Sequence, residues 1–551
     1  MALTTRRQFV QQTAFTAAAL YGRPIRLLAS GRRIVQAREQ NPAPLDAAAI
    51  RKLASEISGH AITPDGSDYE SSRLVENRAF DRHPALIVRV ANSSDVARVL
   101  DFAQKQALRV AVRAGGHSAA GYGVCDGGVV IDLSQMKRVE VDAGKRLARA
   151  EAGCRSGDLD KATQRFGLAT TLGGCPTVGI AGLTLGGGEG ALMPKYGAAC
   201  DNLLSARVVT VDGREVEASQ NSNPDVFWAI RGGGGNFGVV TALEYRLHPV
   251  SEVLAGELVY PPGRIPEILQ AYVKFMRAAP DEMNGLGQIF PSEHGPTFIM
   301  GVDYCGRPSL GNDLLTPLRA PIKPQADSVK VMSYLEDQST GFSGPPNAFF
   351  ATDLFLPELS EPAIAAIASA TQDAPPGFRV QIVSFHGAVT RVGLSDMAFP
   401  LRETGYEVLV SSYWNTPQEK QSAAKWAKAL GDKLRPFARG AYVNGLSETS
   451  DELVKAVYGL NYARLVEIKK KYDPANVPAP QPEHQARVSP GETPGLSALP
   501  ANLCPFSGCH ECEVFNGKVC SGERHSRGKL AQSKYHRKMN SAKLGARSSL
   551  I

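Results

Sequence analysis

Residues 175–219 read CPTVGIAGLTLGGGEGALMPKYGAACDNLLSARVVTVDGREVEAS. Six of the first sixteen are glycine: Gly179, Gly182, Gly186, Gly187, Gly188 and Gly190. Glycine at that density means close approach of backbone to backbone or to a ligand. The stretch ends in two apolar strand-like runs, LLSARVVTV and REVEAS, around Asp212-Gly213, a hairpin signal. Upstream, residues 112–134 read VRAGGHSAAGYGVCDGGVVIDLS, with a second glycine cluster at Gly115-Gly116 followed by His117 and Ser118. Downstream, Arg231 to Gly238 read RGGGGNFG, and the long strand pattern VVTALEYRLHPV follows. Consecutive backbone N–H groups in such loops form anion-binding concavities, and three of them around one fold can enclose a phosphate-bearing cofactor. None is the strand–GxGxxG–helix fingerprint and none is GxxxxGK[ST], which disfavours a nicotinamide site and a P-loop.

Working outward, ALIVRVAN, SSDVARVLDFAQKQA, RVAVRAGG and GGVVIDLS make a β-α-β-β rhythm, with a Ser cap expected on the helix. RVEVD and LARAEAG read as a hairpin-like pair, SGDLDKATQRFG and PDVFWAI as helices. After about residue 251 the glycine clusters stop. Strands (TFIMGVDYCG, FRVQIVSFHGAV, YEVLVSSYWN) then alternate with helices (IPEILQAYVKFMRAA, EPAIAAIASATQ, QEKQSAAKWAKALGDKL), which predicts an antiparallel sheet backed by helices. The fold class is α+β. The expected organisation is a signal region over 1–40, a cofactor domain over 41–250, a substrate domain over 251–440, a closing segment over 441–477, and a basic tail over 478–551.

The composition is that of a globular chain: 551 residues, 43% apolar and 21% charged, with 54 glycines. A net charge of +7 is modest at this length and does not argue for nucleic acid. No run reaches the roughly 18 apolar residues of a membrane span, so no membrane partner is expected. Nine cysteines are too few for a disulfide scaffold. Four of them, Cys504, Cys509, Cys512 and Cys520, crowd into the tail, where residues 501–551 hold nine Lys and Arg against three Glu. The tail reads as a flexible basic extension, and no metal site is assigned. At the other end, Arg6-Arg7 precede a short apolar segment from Thr13 to Gly22, a pattern similar to a bacterial twin-arginine export signal. It implies an exported protein, periplasmic or secreted, using the export machinery, and a cytoplasmic one if the signal is not used.

The two glycine-rich stretches together resemble the FAD-binding domain of the vanillyl-alcohol-oxidase superfamily (the PCMH type). Within it the chain is similar to the berberine-bridge-enzyme-like branch, as is VYGLNYARLVEIKKKYDPAN near the end. The resemblance implies a two-part FAD-binding domain plus a substrate domain. His117 matches the histidine linked to the 8α-methyl of the flavin, and Cys175 matches the cysteine joined to ring carbon C6 in doubly linked members. The electron-poor ring acidifies the 8α-methyl, so an imidazole can add there, and a thiolate is a competent nucleophile at C6. Arg113, Gly115, Gly116, Ser118, Val178, Gly179, Gly182, Thr184, Gly187, Gly188, Asn202, Gly238 and Val239 complete the cofactor contacts so implied. Val178 resembles the oxygen-permissive form of its position, where leucine marks dehydrogenase members; a shorter side chain leaves room for O2.

The resemblance weakens at the catalytic base. Relatives often carry a tyrosine at the end of a Tyr-x-Asn-Tyr segment. Here the segment reads Tyr442-Val443-Asn444-Gly445, so Gly445 replaces it. Candidates for the base are Tyr442, His386 and Tyr413. The implied activity is oxidation of a small molecule (an alcohol, sugar, amine or secondary metabolite) by hydride transfer to FAD, with O2 as acceptor and H2O2 as product. The alternatives are a dehydrogenase using another acceptor, or a flavin-binding protein of low turnover.

Overall fold

The computed structural model describes residues 45–320, 322–340 and 347–474. The Arg6-Arg7 signal and the cysteine-bearing tail lie outside the described residues.

The first sheet contains β1 (His60–Ile62), β2 (Leu86–Arg89), β3 (Val110–Arg113) and β4 (Val129–Asp132), in the order β1-β2-β4-β3. β4 pairs in parallel with both β2 and β3. Parallel strands are covered on both faces, which is why Leu86, Ile87 and Val88 form an unbroken apolar run and are wholly buried. The helix Ser93–Lys105 crosses between β2 and β3. Its cap is Asn92, whose side chain accepts from the Asp95 N–H, rather than the serine the sequence suggests. Asp95 is then free to point inward, where its carboxylate accepts from the backbone of Ser58, Gly59 and Ala91.

The second sheet is antiparallel throughout. It comprises β5 (Val139–Asp142), β6 (Leu147–Glu151), β8 (Leu203–Val209), β9 (Glu215–Ser219) and β10 (Val239–Arg246), ordered β5-β6-β10-β8-β9. A short pair, β7 (Leu168–Ala169) with β11 (His248–Pro249), ties the end of this region to its middle.

The third sheet is the largest, with eight strands: β12 (Glu252–Val259), β13 (Met283–Phe290), β14 (Thr297–Tyr304), β15 (Ala326–Asp327), β16 (Lys330–Ser333), β17 (Ala348–Leu356), β18 (Phe378–Phe385) and β19 (Gly405–Trp414). Its main path is β15-β12-β14-β13-β18-β19-β17, antiparallel throughout. Side chains alternate between faces along a strand. Val380, Ile382, Val408, Val410 and Leu354 pack against the helices Ile265–Arg277, Glu361–Gln372 and Pro417–Leu434, forming one core from residues 254–434. The opposite face carries Arg379, Gln381 and Val383 of β18, Glu407, Leu409 and Tyr413 of β19, and Asp353 and Phe355 of β17. Here Phe355, Val383 and Phe385 join the core of the first two sheets. The closing segment adds Ala441, Tyr442, Leu446, Tyr458, Leu465 and Ile468 to that same core. Among the described residues no helix is long and apolar enough to cross a membrane.

Candidate cofactor and substrate site

Two glycine loops meet in the first half of the chain. β3 ends at Arg113, whose guanidinium is buried on Asp132 of β4 at 2.8 Å. The chain then turns through Gly115 and Gly116. A Cβ on Gly115 would lie 2.2 Å from the Gly179 nitrogen, and one on Gly179 would lie 2.3 Å from the Gly115 nitrogen. Only glycine at both positions permits that contact. Among the described residues, the backbone N–H groups of Gly115, Gly116, His117 and Ser118 have no hydrogen-bond acceptor in the protein. These four consecutive donors lie on a partly exposed loop and are available to an acceptor from outside the chain. This donor set fits an anionic group such as the pyrophosphate of a dinucleotide. Gly174 and Gly182 are exposed, and a Cβ on either would meet nothing within 4 Å, so this side of the second loop is open.

The contact sets the His117 loop against the turn that carries Cys175. The His117 ring lies beside the Thr177 backbone, two residues past Cys175. Its Nε2 lies 4.0 Å from Glu76. Burial, reinforced by the charge of Arg155, holds the imidazole down at about 4, so the ring is neutral and nucleophilic at pH 7. Cys175 is half-buried, with its Sγ 3.2 Å from the Thr177 hydroxyl. Val178 follows in the same turn, its N–H donating to the Cys175 carbonyl and its carbonyl accepting from Ser156.

The large sheet faces this loop with a polar row that sequence reasoning missed. Arg379 donates to Gln288 at 2.5 Å and to Gln381 at 2.9 Å, and its guanidinium lies 5.3 Å over the Phe290 ring. Tyr413 and Cys175 both lie near this guanidinium, which places β18 and β19 beside the cysteine loop. Tyr413 also packs on Phe349, ring centres 5.2 Å apart. The one available signal was polar residues at alternate positions in FRVQIVSF, a strand whose other face is apolar.

A second missed group lies farther along the same face. Glu189, Asp353 and Glu407 lie close enough together for each carboxyl to act on the protonation of its neighbours. Asp353 and Glu407 are buried, 3% and 2% exposed, and Glu189 is half-buried. Burial and the neighbouring carboxyls push Glu189 and Asp353 well above the ordinary carboxylate range. Tyr442 closes the group. Its N–H donates to Asp353 at 2.5 Å, while its hydroxyl accepts from the Gly188 N–H at 3.1 Å and from Asn444 at 2.9 Å. Burial pushes its phenol well above the usual tyrosine range. Gly187 and Gly188 have φ of +120° and +89°, which lets the loop carry Gly188 to Tyr442 and Gly187 against Phe399.

Several residues expected at the cofactor are engaged elsewhere. Thr184 is fully buried, its hydroxyl bonded to Tyr245 at 2.8 Å. Asn202 uses its amide on the Tyr196 and Ala198 carbonyls and its oxygen on His248, so it braces a turn. Gly238 and Val239 open β10, where a Cβ on Gly238 would strike the Val209 carbonyl oxygen at 2.7 Å. Of the base candidates, His386 stands past the end of β18, seven residues and roughly 20 Å from Arg379. Both of its ring nitrogens are held, by the Met283 carbonyl and the Ser384 hydroxyl. A histidine so placed braces the end of β18 against the start of β13.

Comparison with known proteins agrees with this geometry. A family model described as an FAD binding domain matches residues 84–219, and one described as berberine and berberine like matches residues 441–477. The FAD-linked oxidoreductase YgaK of Bacillus subtilis is 30% identical over 434 residues, covering 77% of this chain and 96% of its own. The (R)-6-hydroxynicotine oxidase of Paenarthrobacter nicotinovorans is 30% identical over 455 residues, with the same coverage. The crystal structure of 6-hydroxy-D-nicotine oxidase from Arthrobacter nicotinovorans superposes with a TM-score of 0.71 at 28% identity, over 79% of this chain and 98% of that one. A carbohydrate oxidase from Microdochium nivale gives 0.71 at 25% identity, over 78% and 98%. With its glycine loops, its large antiparallel sheet and its closing segment, the chain belongs to the berberine-bridge-enzyme-like FAD-linked oxidoreductases.

Proposed function

We propose that this protein is an oxidase of a small organic molecule, with FAD tethered through His117 and Cys175 and O2 as electron acceptor. The observation that carries this reading is the seating of a neutral imidazole and a half-buried thiol on two loops locked together at Gly115 and Gly179. When bound, FAD takes a hydrogen with its electron pair from a substrate carbon and passes two electrons to O2. The rest is the work of this chain. The N–H groups of residues 115–118 hold the anionic part of the cofactor. The open side of the loop at Gly174 and Gly182 leaves room for the ring system. Arg379, Gln288, Gln381 and Tyr413 present donors and acceptors to a polar substrate, with Phe290 and Phe349 as apolar contacts. Relatives named for oxidation of a hydroxylated nicotine and of carbohydrates favour a hydroxyl- or amine-bearing substrate.

A dehydrogenase is the second reading, and Val178 weighs against it by leaving space beside the cysteine turn. The test is anaerobic mixing of the purified protein with (R)-6-hydroxynicotine, cellobiose and benzyl alcohol, followed by admission of air. Bleaching of the flavin and prompt recovery with H2O2 formation is expected for at least one. Persistence of the reduced flavin in air would move the assignment to a dehydrogenase. Export through Arg6-Arg7 belongs to the same proposal and is checked by fractionating a bacterial host that expresses the chain with Arg6-Arg7 intact or changed to Lys-Lys.

A further inference from the structure

We propose that Glu76 is the proton acceptor in the step that joins His117 to the flavin. The inference rests on the tethered-flavin reading above and adds to it the group that lets the His117 bond form.

Three observations carry it. The Glu76 carboxylate oxygen Oε2 lies 4.0 Å from His117 Nε2, and the two side chains are 29% and 20% exposed. A small rotation of the glutamate closes that gap, and the contacts of a general base commonly tighten only once the reacting partner is bound. Second, the backbone fixes Glu76 to the histidine loop. Its N–H donates to the Gly116 carbonyl at 3.0 Å, one residue before His117. Its neighbours Val75 and Asn77 are buried, and the Asn77 side chain donates to the Ala119 carbonyl at 2.8 Å and to the Phe349 carbonyl at 3.1 Å. The carboxylate therefore keeps its place relative to the imidazole. Third, the surroundings set the starting protonation states. Burial raises the Glu76 carboxyl above its ordinary value, which makes it a stronger base, while the charges of Arg78 and Arg155 favour its ionised form. Burial and the charge of Arg155 keep the imidazole neutral. Arg155 serves both groups from one position, its backbone bridged to Gly179 on the turn that meets Gly115.

In the step so assigned, His117 carries its proton on Nε2, facing Glu76, and attacks with Nδ1. A bond forms between Nδ1 and the 8α carbon of the flavin, and one C–H bond of that methyl group breaks. The methyl proton leaves to water, and the C–H electron pair passes into the ring. The Nε2 proton passes to the Glu76 carboxylate, so the linked imidazole ends neutral. Linkage leaves the flavin reduced by two electrons, and O2 takes these up with two protons to give H2O2.

The test uses the full chain produced in a riboflavin-limited host and then mixed with FAD in air. Linkage is read as flavin fluorescence that stays with the polypeptide in an acid-denaturing gel, so no substrate and no turnover are involved. Cys175→Ala isolates the His117 bond, and His117→Ala isolates the Cys175 bond. In the Cys175→Ala background, Glu76→Gln is expected to slow linkage roughly hundredfold, the usual scale for removing a general base. Glu76→Asp should recover part of the rate. With Glu76 present the rate should fall on the acid side as the carboxyl takes a proton. With Glu76→Gln that fall should move down toward about 4, where His117 itself is protonated. In the His117→Ala background, Glu76→Gln should leave the Cys175 bond forming at an unchanged rate, which a general disturbance of the two loops would not. Equal rates and pH profiles for Cys175→Ala with and without Glu76→Gln, or equal slowing of the Cys175 bond, would overturn the inference and leave the tether reading intact. A Cys175→Ala protein that binds FAD and never links it would overturn the His117 tether and the inference together.

Discussion

Gly115 and Gly179 touch backbone to backbone, and that contact sets the distance between the two residues expected to hold the flavin. Each glycine has the other's nitrogen where its own Cβ would be, at 2.2 and 2.3 Å. Neither neighbour is the tip of a side chain that could swing away.

Gly115→Ala is therefore expected to force the loops apart. Overpacking costs about 1–3 kcal/mol where the surroundings can yield, and here they yield little. The melting temperature should fall by several degrees, and flavin retained through gel filtration should fall with it. Gly182→Ala, whose Cβ meets nothing within 4 Å, is the control and should leave the melting temperature unchanged.

The tethers make a separate prediction. Acid-denatured wild type should keep its yellow colour on the polypeptide, as should His117→Ala and Cys175→Ala taken singly. The double variant should release it. Colour that washes out of acid-denatured wild type would remove both residues from the covalent role and leave the family assignment standing.

Val178→Leu adds one carbon beside the cysteine turn. Reoxidation of the reduced flavin in air is expected to slow by roughly tenfold, a rise of about 1.4 kcal/mol in that barrier. Anaerobic reduction by substrate should change little. Stopped-flow absorbance in the two half-reactions separates them.

A pH effect follows from a different carboxyl group. Asp160 is 2% exposed, and its Oδ1 has no hydrogen-bond partner. Burial pushes it up to about 8, and burial together with Asp303 pushes Asp337 up to about 8. Both values lie above the unfolded one, roughly 3.9, so the folded state prefers the protonated form. Their contribution to stability is fully present below about pH 4 and is lost as the pH rises toward about 8. Asp160→Asn, uncharged at any pH, should melt close to wild type at pH 4 and several degrees above it at pH 9. Parallel melting curves across that range would show that Asp160 does not carry the effect.

The cofactor half was legible because its signals are local. Gly115-Gly116-His117 and Cys175 to Gly179 are each written in a few consecutive residues, and the backbone they need is one that glycine alone supplies. Thr184 and Asn202 lie in equally characteristic motifs. Their polar atoms nevertheless turn inward to Tyr245 and His248, a choice made by packing partners some 46 to 61 residues away. The base candidates suffered the same limit: His386 looks like chemistry in SFHGAV until Met283 and Ser384 are seen holding its ring.

The sequence by itself determined the class of fold, the family and the two loops that would carry a flavin, because glycine spacing and hydrophobic period are properties of short segments. Only the tertiary structure decided what faces those loops. Arg379 meets Gln288, and Glu189 meets Asp353 and Glu407, across gaps of 91 to 218 residues. Those meetings depend on the register of antiparallel strands: Arg379 lies opposite Ser411, Asp353 opposite Leu409, and Phe355 opposite Glu407. A shift of one residue in that register would turn every one of these side chains to the other face of the sheet, among the apolar residues that pack on its helices.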